Sequence, residues 1–393
     1  MAAGRSTRTY PLTLTRPKPL LRVVNQTVIE HNLRELRGLV DEAIVVVGYK
    51  AEMIREFLGE EHGGIRIKYV LQEDASGTAS AVGKAREHVR GRFLLMYGDD
   101  LYSGRDFGRL MEHENAILAQ RVANPSDFGV LRTEGDRFLE VIEKPQDFIS
   151  DLVSIGCFVF SDKIFPVLDD IELSRRGEYE FTDAYNLLSK TEDIRVVAVD
   201  DYWLPVTYPW SLLQANAYLS GRIKRSVSPE AAIEEGATLK GEVVVGAGTV
   251  IKAGVYIEGP VVIGRDCVIG PNAYLRAGAS VGNNCHIGQA VEIKNSIIGD
   301  NTNVAHLSYV GDSVLGEKVN LGAGTITANL RHDGKTVKSQ VGEQVPDSGL
   351  LKLGAVIGDG AKTGVHTSFY PGVKLGPGTT TLPGDIVKRD LSN

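Results

Sequence analysis

Arg8 and Lys18 flank a Pro-braced turn in the opening stretch MAAGRSTRTYPLTLTRPKPL, where Ala2, Ala3 and Gly4 are small enough to let a ligand approach the backbone. Two cations and a row of backbone N–H groups suit a triphosphate and a sugar phosphate. The chemistry such a loop serves is displacement at phosphorus, which needs charge neutralised more than it needs a covalent catalyst. A second set of candidates lies in the other half of the chain. His306 is the residue type whose ordinary pKa lets it take a proton near neutrality. A base of that kind can take the proton of an attacking group. Arg276 and Lys294 are spaced to face one anionic phosphate, and nearby asparagines could anchor His306 or polarise the carbonyl under attack.

Two different frameworks must position these residues. Over roughly the first 225 residues, strand-like and helix-like segments alternate. AIVVVGY (43–49), IRIKYVLQ (65–72) and RFLLMYGD (92–99) read as short, apolar, buried parallel strands. Helical patterns cover residues 28–39 and 79–89 between them. That order implies an α/β, Rossmann-like sheet with helices on both faces, whose ligands sit beyond the carboxyl ends of the strands. Asp99 stands at such an end. PWSLLQANAYLSGRIKRS (209–226) reads as a closing helix with Pro in its first turn.

After SVSPE (226–230) the pattern changes. Ile233, Leu239, Val245, Ile251, Ile257, Ile263, Ile269, Leu275, Val281, Ile287 and Ile293 recur at every sixth position, often followed by Gly. This is the signature of a β-helix: each six-residue piece is one face, the aliphatic side chain points inward, and small residues turn the corners. Arg276 and Lys294 then fall on successive coils. The phase slips by one after Ile293 and again after Val310, then resumes at Leu321. It breaks for a polar excursion over residues 329–349 and returns at Ile357, Thr363, Phe369 and Leu375. The expected domains are residues 1–225, α/β, and 230–393, solenoid.

Composition narrows the classes. A net charge of −7 and a pI near 5.7 argue against nucleic-acid or anionic-membrane binding. The chain has neither an apolar stretch of membrane-spanning length nor a secretory signal pattern, so the expected location is cytoplasmic. Cys157, Cys267 and Cys285 form neither a disulfide framework nor a metal pattern.

AAGRSTRTYPLTLTRPKPL is similar to the signature of sugar-1-phosphate nucleotidylyltransferases, with Ser6 where that signature has Gly. LQEDASGTASAV resembles the base-reading stretch and implies Gln72, Gly77 and Thr78, beside Ala3 and Gly4, as nucleotide contacts. MYGDD matches the metal aspartate, which implies Asp99 as the Mg²⁺ ligand, with Arg8 and Lys18 as the catalytic cations. FGVLRTEGDRFLEVIEKP resembles the sugar-binding part and implies Gly129, Glu143 and Lys144, while Ser154 stands where the family usually has Asn. YWLPVTYPW resembles the second metal segment, with Pro205 at the usual aspartate.

The solenoid resembles the left-handed β-helix of hexapeptide acyltransferases. VEIKNSIIGDNTNVAHLSYVGDSVLGEKVNLGAGTITANLRHDGK matches the acetyltransferase site of that family. The match implies His306 as general base, with Lys294, Tyr309, Asn320, Asn329 and Lys335 around the sugar phosphate or acceptor. It adds Arg276, in YLRAG, as a phosphate ligand, and Ala323 at acetyl-CoA.

Together the two halves resemble the archaeal-type bifunctional enzymes that acetylate an amino-sugar 1-phosphate and couple it to UTP. The resemblance implies Mg²⁺, acetyl-CoA as co-substrate, UTP or dTTP, and glucosamine 1-phosphate or galactosamine 1-phosphate. It also implies a homotrimer or a dimer of trimers. Two alternatives remain open: a degenerate nucleotide-sugar-binding assembly protein, and a nucleotidylyltransferase whose solenoid is purely structural. Family members carry an apolar strand before AAG, where this sequence has Met1. The expectations are therefore a reading frame that continues upstream, and a nucleotidylyl half weakened by that gap, by Ser6 and by Pro205.

Overall fold

The computed structural model describes residues 1–73, 76–174 and 177–392. Its contacts divide into two compact units that are not cut at a single point of the sequence. One contains Met1–Arg5, Pro17–Leu20 and Val28–Pro205; the other contains Ser6–Arg16, Leu21–Thr27 and Val206–Asn393. No helix among the described residues is long and apolar enough to cross a membrane.

In the first unit the expected strands form as Glu42–Val47, Ile65–Leu71 and Arg92–Met96. The first two pair in parallel. Arg92–Met96 does not continue that parallel sheet: it pairs antiparallel with Leu152–Ser161, at the edge of a separate, mixed six-stranded sheet. Period and apolarity mark a strand but not its direction, so the parallel reading was too simple for this element. The pattern over 28–39 forms the helix Val28–Glu35, and that over 79–89 forms Thr78–Lys84 followed by a short 3₁₀ turn.

Glu42–Val47 and Arg92–Met96 are both sheet edges, and Met1 and Ala2 lie between them. Ala2 N–H donates to Val46 O at 2.7 Å. The Met1 amine donates to Met96 O at 2.8 Å, and Gly98 N–H to Met1 O at 2.8 Å. Beside Met1 and Ala2 is a cavity of about 270 Å³, lined by Ile44 and Val46 from one edge, Phe93 and Leu95 from the other, and Leu33 and Val82 from the covering helices.

The second unit is built on a left-handed β-helix. Three parallel sheets run its length, two with eight strands and one with six. Ser226–Val227 already pairs with the next coil, so the solenoid begins ahead of Ile233. The six-residue period is the stack of the core: Ile251, Ile257, Ile263, Ile269, Leu275, Val281, Ile287 and Ile293 are all buried in one cluster. Ile233 stacks in register on the core residue Ile251, yet it is 42% exposed, because it lies on the first coil, where no further coil stacks beneath it. The phase slips are shortened coils. Ile263 stacks on Val281, eighteen residues on, whereas Val281 stacks on Ile298, seventeen on, and Ile298 on Leu315, again seventeen. The polar excursion leaves after Ile326–Thr327 and returns at Val356–Ile357, carrying bridges such as Leu330 to Lys352 and Lys338 to Asp347. The closing helix is Ser211–Ser220.

Candidate functional site

In the first unit the candidates gather past the carboxyl ends of the strands. Asp99 follows Arg92–Met96 by way of Gly98, where a Cβ would lie 2.9 Å from Met1 O. Lys18 is buried in the 3₁₀ turn Lys18–Leu20, with its Nζ 2.9 Å from Asp99 Oδ2 and 3.6 Å from Asp100 Oδ1. Asp100 also accepts Trp203 Nε1–H at 3.1 Å, which leaves the 42%-exposed Asp99 as the open carboxylate. Burial alone would raise the Asp99 pKa, but the Lys18 ammonium holds it below the usual carboxylate range.

Asp201, the nearest acid before Pro205, accepts the Ser103 hydroxyl at 2.7 Å. No group of three or more His, Cys, Asp or Glu among the described residues is arranged to hold a metal alone. A single open carboxylate such as Asp99 could hold a Mg²⁺ that takes its remaining ligands from substrate phosphates and waters, the usual mode for that ion.

The nucleotide candidates share one loop. Gln72 Nε2 donates to Gly77 O at 3.2 Å, and Thr78 Oγ1 accepts Phe181 N–H at 2.9 Å. Gly77 has φ +110°, and a Cβ there would lie 2.4 Å from Tyr179 O, so only glycine fits. Asp74 and Ala75 of the same stretch lie outside the described residues. Ala3 O accepts Tyr49 N–H at 3.0 Å, and a Cβ on Gly4 would meet nothing, which leaves that backbone open to a ligand.

Gly129 pairs directly with Glu143, and Lys144 follows with φ +46°. Ser154 stands where the Leu152–Ser161 strand shifts register. The sequence reading missed Tyr97. Its phenol is hydrogen-bonded to Thr78 and lies within electrostatic reach of Glu143, Asp99 and Glu180. Burial first, and those carboxylates next, push it well above the ordinary tyrosine range. A tyrosine at the end of an apolar strand carries no signal that distinguishes it from core.

Arg8 belongs to the other unit. It is exposed on the turn Thr7–Thr9, which follows Ser6 at φ 50°. A left-handed serine costs about 1 kcal/mol, which explains why glycine suits that position better.

In the solenoid, Asp312 joins Lys294 and Asn329, and Tyr309 is joined to them through Asn329. This carboxylate is buried and accepts Lys294 Nζ at 2.8 Å, Asn295 Nδ2 at 2.8 Å and Asn329 Nδ2 at 2.5 Å. Asn329 Nδ2 also lies 3.0 Å from Tyr309 Oη. The Tyr309 ring lies flat over Gly311, where a Cβ would be 2.3 Å from the phenol oxygen. Asp312 could have been suspected only from its place between Gly311 and Ser313, a turn sequence. Arg276 is one coil before Lys294 on the same face, paired with Glu292 at 2.8 Å and placed over the Tyr274 ring.

His306 ends the strand Asn303–His306 and is exposed at the corner before Tyr309. Its carbonyl accepts Gly324 N–H at 3.3 Å, and Ala323 O accepts His366 N–H at 2.7 Å, so His306 and Ala323 stand in one corner column. The preceding coil contributes His286, whose pKa is lowered by burial, then by Lys252 and His306. Asn320 and Lys335 do not join the Asp312 cluster. Asn320 is exposed on the sheet that carries His306, paired with Asn303, and Lys335 is on the excursion with its N–H bonded to Asp333.

Comparisons with known proteins cover both halves. Residues 1–221 match the nucleotidyl transferase family, and residues 257–363 match the GMPPB C-terminal domain. The chain is 37% identical over 394 residues to the bifunctional protein GlmU of Methanocaldococcus jannaschii, covering 100% of this chain and 95% of that protein. It is 38% identical over 397 residues to the bifunctional sugar-1-phosphate nucleotidylyltransferase/acetyltransferase of Sulfurisphaera tokodaii, covering 100% and 97%. A crystal structure described as a glucose-1-phosphate thymidylyltransferase of Bacillus anthracis with sucrose aligns at a TM-score of 0.50 and 27% identity, over 55% of this chain and 92% of that one. UDP-glucose pyrophosphorylase with UDP-glucose shares the fold at a TM-score of 0.52 and 20% identity, over 56% and 97%.

Proposed function

The chain belongs to the family of bifunctional sugar-1-phosphate nucleotidylyltransferases/acetyltransferases, and from that premise we propose that it acetylates the amine of glucosamine 1-phosphate, or of galactosamine 1-phosphate, and joins the product to UTP or dTTP. The observation that carries the acetyl-transfer half is the convergence of Lys294 and Asn329 on Asp312, with Tyr309 held by Asn329 on the strand that follows the His306 corner.

In that half, Arg276 and Lys294 hold the sugar phosphate. His306 takes a proton from the substrate ammonium and passes it to solvent, the freed amine nitrogen bonds to the thioester carbonyl carbon, and the carbon–sulfur bond breaks. The second proton lost by that nitrogen neutralises the departing CoA thiolate, so the products are the amide, the CoA thiol and one released proton. In the other half, a sugar-phosphate oxygen bonds to the nucleotide α-phosphorus and pyrophosphate leaves. Arg8 and Lys18 neutralise the phosphates, Gln72, Gly77 and Thr78 hold the base, and Gly129, Glu143, Lys144 and Ser154 hold the sugar. Asp99 would hold Mg²⁺, which when bound supplies charge neutralisation at the phosphates. Pro205, in place of a second carboxylate, weakens this half.

Acetyl-CoA-dependent thiol release with glucosamine 1-phosphate tests the first half, and pyrophosphate release from UTP with the acetylated sugar phosphate tests the second. Thiol release without pyrophosphate leaves an acetyltransferase alone. Pyrophosphate without thiol release makes the solenoid a scaffold. Neither makes the chain a binding protein.

The surface supports an assembly of several copies. Leu307, Val365 and Leu382 are exposed along one corner column, with Ile326 and Ile386 on the adjoining face. Exposed apolar strips of this kind mark contacts with another chain. The partner we propose is a second and third copy of the same solenoid, in a parallel homotrimer. Light scattering of the intact chain is expected to give about three times the 42.5 kDa chain mass, or twice that for a dimer of trimers. A monomer at micromolar concentration contradicts it.

A further inference from the structure

The loop Ser6–Arg16 clusters with the solenoid, although the chain on both sides of it, Met1–Arg5 and Pro17–Leu20, belongs to the α/β unit. Its last residue explains how. The Arg16 side chain is only 13% exposed; it donates to Asp359 Oδ2 at 2.6 Å and pairs with Glu317 as well. The Thr15 hydroxyl adds a 2.6 Å bond to the same Asp359 oxygen, and Asp359 Oδ1 takes the backbone N–H of Glu317 at 2.8 Å. Arg22, on the next segment of this unit, reaches Asp300 Oδ2 at 3.1 Å.

Asp300, Glu317 and Asp359 form one corner column on successive coils. Lys318 N–H bonds Asp300 O at 2.9 Å, and Gly360 N–H bonds Glu317 O at 2.8 Å. Glycines make room for two of these carboxylates: a Cβ on Gly282 would lie 2.4 Å from Asp300 Oδ1, and one on Gly316 would lie 2.2 Å from Asp359 Oδ1. The column is thus an acidic ladder, and two arginines from the first 27 residues of the chain are its partners.

We propose that Arg16 is a positioning residue for nucleotidylyl transfer: it fastens the loop that carries Arg8 and leads into Lys18 to the acidic ladder of the solenoid. The proposal rests on the reading that Arg8 and Lys18 serve the nucleotide. A buried guanidinium between two carboxylates is a strong, directional anchor, and removing it leaves two acids uncompensated. The solenoid then has a second task besides its own site, because the nucleotide loop depends on it for order.

The test is Arg16→Ala in the full chain, followed by hydrogen exchange and both activities. Amide exchange over residues 7–14 is expected to rise at least ~10-fold. Nucleotidylyl transfer is expected to fall ~10–10²-fold, mostly in kcat/KM for the nucleotide, while acetyl transfer stays within about two-fold. Arg16→Lys, which keeps the charge but loses the fork, should fall between. The reversed pair Arg16→Glu with Glu317→Arg should recover part of the protection. Unchanged exchange in Arg16→Ala overturns the proposal, and so does equal loss of both activities, which would make Arg16 a general stabiliser. If the unaltered chain transfers no nucleotidyl group, the functional reading of Arg8 and Lys18 fails, while the exchange measurement still decides whether Arg16 orders the loop.

Discussion

Replacing His306 by alanine is expected to lower acetyl transfer at least ~10²-fold, the range that general-base catalysis contributes. The ring is exposed at its corner, so its removal leaves the core of the solenoid untouched. The corner itself is held by the backbone, through His306 O to Gly324 N–H and Leu307 N–H to Gln289 O. The Asp312 cluster of Lys294, Asn329 and Tyr309 contains no bond to the imidazole among those described. The loss should therefore fall on kcat, with KM for the sugar phosphate and the melting temperature unchanged. Stopped thiol-release assays at neutral pH, with the sugar phosphate varied, check this. Near-parental turnover at neutral pH would assign the base to another group, and His286 on the preceding coil would be examined next.

Asp99→Asn is the second large effect, expected at ~10²–10³-fold on nucleotidylyl transfer, with acetyl transfer unaffected. The amide keeps the shape of the carboxylate and one acceptor oxygen for Lys18, so folding is preserved. What it loses is the negative charge beside Lys18 and the hard anionic oxygen that suits Mg²⁺. Asp100 has one oxygen committed to Trp203, and Asp201 has one committed to Ser103. Raising the Mg²⁺ concentration should recover part of the rate if the lost function is metal affinity. Pyrophosphate release measured across a Mg²⁺ series decides it; an undiminished rate at low Mg²⁺ removes Asp99 from the metal role.

The solenoid was legible because its constraint is local and periodic. One inward side chain every six residues is needed to fill each face, so Ile251 to Ile293 and even the two shortened coils could be followed along the chain. Asp99 and the Gly77 turn were legible for a related reason: a strand end and an obligatory glycine leave marks within a few residues. What escaped depends on residues far apart in sequence. Tyr97 gains its surroundings from residues 78, 143 and 180, and Arg16 finds its partners at 317 and 359. Asp312 collects Lys294 and Asn329 only because the coils stack in register. The antiparallel turn of Arg92–Met96 was hidden too, since its partner strand lies more than fifty residues on.

The central claim is that two group transfers on one chain act in turn on the same amino-sugar phosphate. Incubating the intact protein with glucosamine 1-phosphate, acetyl-CoA, UTP and Mg²⁺, and weighing the products by mass spectrometry, tests it most directly. The expected result is a UDP-N-acetylhexosamine, with one CoA and one pyrophosphate for each molecule formed and the acetylated sugar phosphate accumulating ahead of it. Uridylylated sugar without an acetyl group, or no consumption of acetyl-CoA at all, would contradict the account.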